Sequence, residues 1–243
     1  MSFQLSIMIE ALKTASHYIG TTLFMALTAL VIGAVVGLII ALIRLYRIKI
    51  LAPVLQVIVT VLKGIPVVLV ILALYLISAK QFDIWAESMH WTLRFKDFNM
   101  VWIAIAALSL MSAINSSEIF RGAFAAVKKG QFDAAKSIGM TNLQVIRRVL
   151  LPQAWPISLP MFSNLLISLV KASALASMVS VVDVFAAAKI TAQQNYRFLE
   201  AYVAVAIIYW LISLVIEKGT QLLENRLLRK LRRPHYDESN GYP

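Results

Sequence analysis

Two lysines sit inside apolar stretches of this sequence, and no other side chains have a stronger claim to chemistry. Lys171 lies in Lys171-Ala172-Ser173-Ala174-Leu175-Ala176-Ser177, near the middle of an apolar run from Ile157 to Val182. An ammonium in hydrocarbon is costly, so it faces the interior of a helix bundle or water. Ser173 and Ser177 are four residues apart and share a face of an α-helix, with Asn164 and Ser168 on a neighbouring part of it. Such a polar stripe suits the wall of a path for a polar solute; the same groups could instead hydrogen-bond to neighbouring helices. Lys63 opens the second feature, Lys63-Gly64-Ile65-Pro66. Proline removes a helical hydrogen bond and bends the chain, and a broken membrane helix is tolerated where its backbone is buried in protein or lines a cavity. Lys63, Gly64 and Pro66 therefore mark either a kink at a path or gate, or a packing kink with Lys63 snorkelling.

Reactive constellations are missing. His17, His90 and His235 are far apart and lack metal spacing. There is no Gly-rich phosphate loop, so the chain itself is not expected to bind ATP. No Ser/His/Asp arrangement suggests a hydrolase, and without cysteine there is no thiol chemistry. The residues point to passage of a solute rather than to its conversion.

Composition says where these groups sit. Of 243 residues, 60% are hydrophobic and 14% charged, against roughly half apolar and a quarter charged in soluble domains. The surplus apolar surface faces lipid. A net charge of +11 would raise nucleic acid as a partner of a soluble protein. Here the basic residues flank apolar spans, as membrane topology requires, so lipid and not nucleic acid is the expected surrounding.

Five stretches reach the length of about 20 apolar residues that a membrane helix needs. They are Thr21 to Ile43, Leu51 to Ser78 (interrupted at Lys63 to Pro66), Met100 to about Ser116, Ile157 to Val182, and Tyr202 to about Leu222. No A-x-A-like cleavage site follows the first, which reads as a retained span. The fold class is thus all-α, a polytopic bundle of five transmembrane helices. Residues 1–223 form one transmembrane domain, with a loop at about 121–155 and a basic tail at 224–243. The stretch Arg232 to Pro243 is polar and turn-rich, the composition of a disordered tail. Fifteen of the 23 Lys and Arg fall in the loops after spans one and three and in the C-terminal segment from Lys218 onward, which places the N-terminus outside and the C-terminus in the cytoplasm. Trp85 and Trp91 suit either an interfacial segment over Gln81 to Asp97 or a plain loop. Ala29, Gly33, Gly37 and Ala41 recur every fourth residue, a face on which a second helix backbone can approach closely.

The loop after span three reads as two short helices joined at Gly139, where glycine allows the positive φ that ends a helix. Thr141 or Asn142 can cap the second, and Pro152 closes it. Asp133-Ala134-Ala135, Gly139 and Val149-Leu150-Leu151-Pro152 stand at the spacing of the EAA loop of ATP-binding-cassette importer permeases, which the loop resembles. Asp replaces Glu and Val replaces Ile. Glu118-Ile119-Phe120-Arg121-Gly122, Lys129-Gly130-Gln131, Leu159-Pro160 and Lys171 are similar to the polar amino-acid uptake branch, that of the histidine, glutamine and arginine permeases. Lys171-Ala172-Ser173-Ala174-Leu175 stands where that branch commonly has Lys-Asp-Thr-Ser-Leu. Ala188-Lys189-Ile190 and Phe198-Leu199-Glu200-Ala201-Tyr202 look most like cystine-system permeases.

The resemblance implies a type I, MetI-like permease fold in the plasma membrane of a bacterium. It implies ATPase subunits as partners, holding ATP and Mg that this chain does not bind. It also implies a second permease copy or paralogue and an extracellular substrate-binding protein. Asp133, Ala134, Ala135, Gly139, Leu151 and Pro152 would form the ATPase-coupling segment. Lys63, Gly64, Pro66, Asn164, Ser168, Lys171, Ser173 and Ser177 are the candidate translocation path. A secondary transporter acting alone would want paired carboxylates inside the spans or an internal repeat, and neither is visible.

Overall fold

The computed structural model describes residues 3–231, and among them there is no strand. Backbone groups in hydrocarbon have no water to bond, so a spanning segment must satisfy its own, and a helix does. In chain order the helices are α1 (Leu5–Ser16), α2 (Ile19–Leu45), α3 (Leu51–Lys63), α4 (Val67–Ser88), α5 (Val101–Ala126), α6 (Lys129–Ser137), α7 (Asn142–Val145), α8 (Leu151–Ala172), α9 (Val184–Asn195) and α10 (Phe198–Leu231). Short 3-10 segments cover Phe95–Asp97 and Ser173–Val179, and a π turn, Ile146–Leu150, joins α7 to α8. Among the described residues five helical stretches are long and apolar enough to cross a membrane: α2, α4, α5, Asn142–Val179, and Phe198–Leu227 of α10.

Several boundaries differ from those expected. The second span is not one interrupted helix from Leu51 to Ser78. Pro66 has no N–H to continue α3, and its carbonyl instead receives the Leu69 amide at 3.0 Å as α4 begins. The 22 residues of α4 then suffice to span alone, while the 13 of α3 reach only about 20 Å at roughly 1.5 Å per residue. The Gln81–Asp97 stretch is helical to Ser88 and turns through the 3-10 segment, held where Asp83 accepts the Phe95 amide at 2.8 Å. Pro152 does not close the second loop helix: the helix continues from α7 through the π turn at Ile146–Leu150 into α8, and Pro152 is the second residue of α8, directly after that widened turn. α10 runs unbroken through residues 223–224. The tail from Arg232 to Pro243 lies outside the described residues.

α2 lies along α5, and all four small residues of the expected stripe are buried in that contact or its continuation. A β-carbon on Gly33 would lie 2.2 Å from Ser112 Oγ, and one on Gly37 2.7 Å from the Ala113 carbonyl oxygen. Lipid gives helices no hydrophobic reason to associate, so backbone proximity and packing hold the pair. At the C-terminal end of α2 Arg44 meets Glu118 at 2.6 Å, and Glu118 also binds Arg121 at 2.8 Å. Arg44 further donates to Gln56 of α3.

At the opposite end a buried polar junction ties α2, α9 and α10. Asp183 caps α9 by accepting the Ala186 amide at 2.9 Å and also accepts Tyr209 Oη–H at 3.1 Å. Thr22 accepts the Val184 amide at 3.3 Å. α1 is fixed beside it, where Glu200 accepts the Gln4 amide at 3.2 Å and pairs with Arg197. Burial pushes the Asp183 carboxyl above the usual Asp range, opposed by the Ala186 amide and Tyr209.

Gly33→Ala and Gly37→Ala should each destabilise the protein by about 1–3 kcal/mol through overpacking. Gly122→Ala, whose β-carbon meets nothing within 4 Å, should not. Thermal melts in detergent read the difference. Asp183→Ala should cost roughly 1–3 kcal/mol, from the lost cap and the orphaned Tyr209 hydroxyl, and Asp183→Asn much less. Because folding raises the Asp183 pKa, its contribution is complete below about pH 4 and is lost as pH rises through the folded-state value. The pH slope of the melting temperature in that window should therefore flatten in Asp183→Asn.

Candidate translocation face and coupling segment

α8 presents one face to the bundle and leaves the other open. Phe162, Leu165, Leu169 and Val170 are buried against α2, α5 and α10. Asn164, Ser168 and Lys171, spaced by four and three residues, are exposed together on the opposite side. Ser168 donates to the Asn164 carbonyl oxygen at 2.9 Å. Among the described residues no hydrogen bond or ion pair engages the Lys171 ammonium.

Ser173 does not join this face. The chain tightens to a 3-10 helix after Ala172, and a 3-10 face repeats every third residue rather than every fourth. Ser173, Ala176 and Val179 therefore form the buried side, and Ser173 donates to the Val170 carbonyl oxygen at 2.8 Å. Ser177 falls with Ala174 on a half-buried flank and donates to the Ala174 carbonyl oxygen at 2.8 Å. The expectation that the two serines share a face fails for that geometric reason.

Lys63, Gly64 and Pro66 are exposed at the break between α3 and α4, while Ile65 and Val67 pack on the main core. No hydrogen bond or ion pair links Lys63 to the α8 face among the described residues. An aromatic-lined cavity of about 230 Å³ lies elsewhere, between α4 and α5, against Phe82, Phe95, Phe98 and Trp102.

The segment after α5 folds as a helix, a glycine turn and a capped helix. Asp133 and Ala134 point outward on α6, whereas Ala135 is buried against the core that includes Val145 and Leu150. The alanine pair is thus split, one fixing α6 to the base of the spans and the other facing away. Gly139 has φ +80°, and a β-carbon there would meet nothing within 4 Å, so conformation rather than space calls for glycine. Thr141 caps α7 and exchanges hydrogen bonds with Gln144, accepting its amide at 3.3 Å and donating its own at 2.8 Å. Leu151 and Pro152 begin α8 and line an apolar groove with Leu38, Phe120 and Trp155.

Sequence reasoning missed two residues here. Ile138 and Leu143 are 77% and 72% exposed on either side of the Gly139 turn, an apolar pair offered by an otherwise polar segment. Their signal was apolar residues on both sides of a helix-ending glycine, of which Met140 packs on the core and Ile138 and Leu143 do not. Arg44 was missed as the partner of Glu118, 74 residues away.

Comparison with known proteins places the chain. Residues 33–229 match the family of binding-protein-dependent transport system inner membrane components. The chain belongs to this family and is a multi-pass membrane subunit of such a system. Among curated relatives, the probable amino-acid permease protein YxeN of Bacillus subtilis is 32% identical over 225 residues, 93% of this chain and 96% of the relative. The L-cystine transport system permease protein TcyL of the same organism is 29% identical over 233 residues, 96% and 95% of the two chains. A solved amino acid ABC transporter with histidines has a chain 29% identical to this one, with a TM-score of 0.78 over 93% of this chain and all of that one. The MetNI methionine ABC transporter, at 19% identity and a TM-score of 0.70 over 87% of this chain and 95% of that one, has the same fold. The all-helical, MetI-like type I importer permease fold expected from the sequence is the one found.

Gly139→Val should raise the energy of the turn by about 1–2 kcal/mol, the cost of a left-handed residue with a β-carbon. In the assembled transporter it should lower transport per ATP hydrolysed, while Gly130→Ala, with open space around it, should not. Full coupling in Gly139→Val would show that the turn has no such role.

Proposed function

We propose that this chain is the membrane-spanning subunit of an ATP-driven importer of a polar amino acid, with L-cystine as the leading substrate. The names of the relatives support the amino acid, and two cystine permeases, at 29% and 31% identity, support cystine. The observation that carries the mechanism is the segment around Gly139. α6 is held to the spans by Ala135 and presents Asp133 and Ala134 outward, with Ile138 exposed at its end and Leu143 exposed on α7. A short helix with exposed apolar side chains suits a groove on a partner protein.

In this reading the N-terminus is outside and the C-terminus cytoplasmic, so the Gly139 segment faces the cytoplasm and seats in an ATPase subunit. That partner holds ATP and Mg. A second permease, copy or paralogue, faces this one to enclose the path. An extracellular binding protein delivers the amino acid. Asn164, Ser168 and Lys171 line the path, with Lys171 offering an ammonium to a carboxylate of the solute, and Lys63, Gly64 and Pro66 lie at its mobile edge. ATP drives the cycle only because its binding favours one state of the pathway over the other by a real free-energy difference.

The test is reconstitution of the permease with its ATPase and binding protein in liposomes, assayed with cystine, glutamine, arginine and histidine. The expected outcome is ATPase activity that rises with the loaded binding protein, and uptake that requires both partners and favours cystine. Uptake without the ATPase would overturn the importer reading; preference for another amino acid would overturn cystine alone.

A further inference from the structure

The open face of α8 is longer than its polar centre. Ile157, Met161, Asn164, Ser168 and Lys171 are all exposed, at spacings of four, three, four and three. That spacing sets them in one line along a helix. Beyond Ala172 the 3-10 segment turns Ser173, Ala176 and Val179 to the core and leaves Met178 exposed on its open side, with Leu175 half-buried one turn before it. The line is therefore apolar at one end, polar over three side chains, and apolar again at the other. The polar stretch from Asn164 to Lys171 is about 10 Å long at roughly 1.5 Å per residue.

Lys171 lies between the two methionines on the open side of one helical stretch. What it faces is not lipid, because an ammonium at the centre of a membrane helix is unfavourable and faces protein or water. Met161 and Met178 are 46% and 53% exposed in the chain, although nothing about a water-filled path requires apolar side chains there. An apolar constriction does have a use in such a path: it closes by excluding water. Methionine suits a closure that forms and opens repeatedly, since its unbranched thioether adapts to changing partners.

We propose that α8 carries both gates of the pathway: Met161, backed by Ile157, on the cytoplasmic side, and Met178, backed by Leu175, on the outer side. Asn164, Ser168 and Lys171 form the wall of the compartment between them. This rests on the importer reading above. It adds that one helix face supplies both closures, so a shift of α8 that opens one tends to shut the other.

The sequence contains no cysteine, so Ser168→Cys places a single reporter thiol on the chain. The complete transporter in liposomes is treated with a membrane-impermeant maleimide from outside or inside, without nucleotide and with a non-hydrolysable ATP analogue. From each side, one of the two states should protect the reporter thiol. Adding Met178→Ser should raise labelling in the externally protected state by about tenfold or more and leave internal protection unchanged. Met161→Ser should do the reverse. Both methionines are exposed, so serine fits, and ATPase activity with the binding protein checks assembly. If the aqueous reagent reaches the thiol but neither methionine substitution changes its protection, the gate assignment is wrong while the pathway stands. If only a lipid-soluble maleimide reaches the thiol, even during turnover, α8 faces lipid there and the pathway reading fails as well.

Discussion

The contact of α2 on α5 leaves no room for a β-carbon at Gly33 or Gly37, and the rest of the bundle is placed from it. Two helices in lipid gain little from burying apolar surface against each other, so their register depends on how closely the backbones fit. Polar groups of α2 fix it at both ends, to α5 at one and to α9 at the other. Arg44 reaches Glu118 at one end, and Thr22 receives the Val184 amide at the other. The second face of α5 then holds α8, where Phe120 meets Phe162 with ring centroids 5.1 Å apart, edge to face. With that face of α8 committed to α5, the line through Asn164, Ser168 and Lys171 has to point away. The exposure of the candidate path is thus a consequence of packing far from it.

The same frame brings the segment around Gly139 into mechanical contact with α8. α6 rests through Ala135 on the core that holds Val145 and Leu150, and the π turn continues α7 into α8 without a loop. Tyr46, at the end of α2, donates its hydroxyl to the Asn142 carbonyl oxygen at 3.4 Å. A π turn inside a helix is a local widening often found at functional positions. Here it also lets Pro152 follow without breaking the helix. α6 is thus joined to α8 by packed side chains and continuous helix, a contiguous route of the kind that the proposed coupling would use.

Much of this was legible in the sequence because the constraints are local. Small residues at every fourth position announce a close helix contact whichever partner they meet. A glycine between two short amphipathic runs announces a turn with positive φ. Five apolar stretches announce five spans. What was not legible depended on tertiary context. The switch from α to 3-10 geometry after Ala172, which turns Ser173 into the core, has no signature in Lys171-Ala172-Ser173-Ala174. α1 and α9 are short and only partly apolar, and they exist by packing on α10 through Ala11, Ala15, Ala188 and Ala192. The Arg44 to Glu118 pair joins residues on different spans, and nothing near either one specifies the other.

Charge within the bundle bears on why the open line of α8 keeps a lysine. A buried carboxylate needs hydrogen bonds or a counter-charge, and the acids enclosed by the bundle have them. Glu118 is held by Arg44 and Arg121, Glu200 by Arg197 and the Gln4 amide, and Asp183 by the amide of Ala186 and the hydroxyl of Tyr209. These groups are committed to holding helices together. Lys171 is different: no carboxylate of the described residues approaches it, and the position after it is alanine. An ammonium without an internal partner costs the fold free energy, and packing gains nothing from it on an open face. Its position is explained if the partner arrives from outside the chain. A solute carboxylate would then bind where the protein has withheld one of its own, and a solute bearing a net positive charge would be repelled at the same point. If Lys171 lines the proposed path, the absence of an acid beside it would act as a selection rule, through the same electrostatics that gives Glu118, Glu200 and Asp183 their partners.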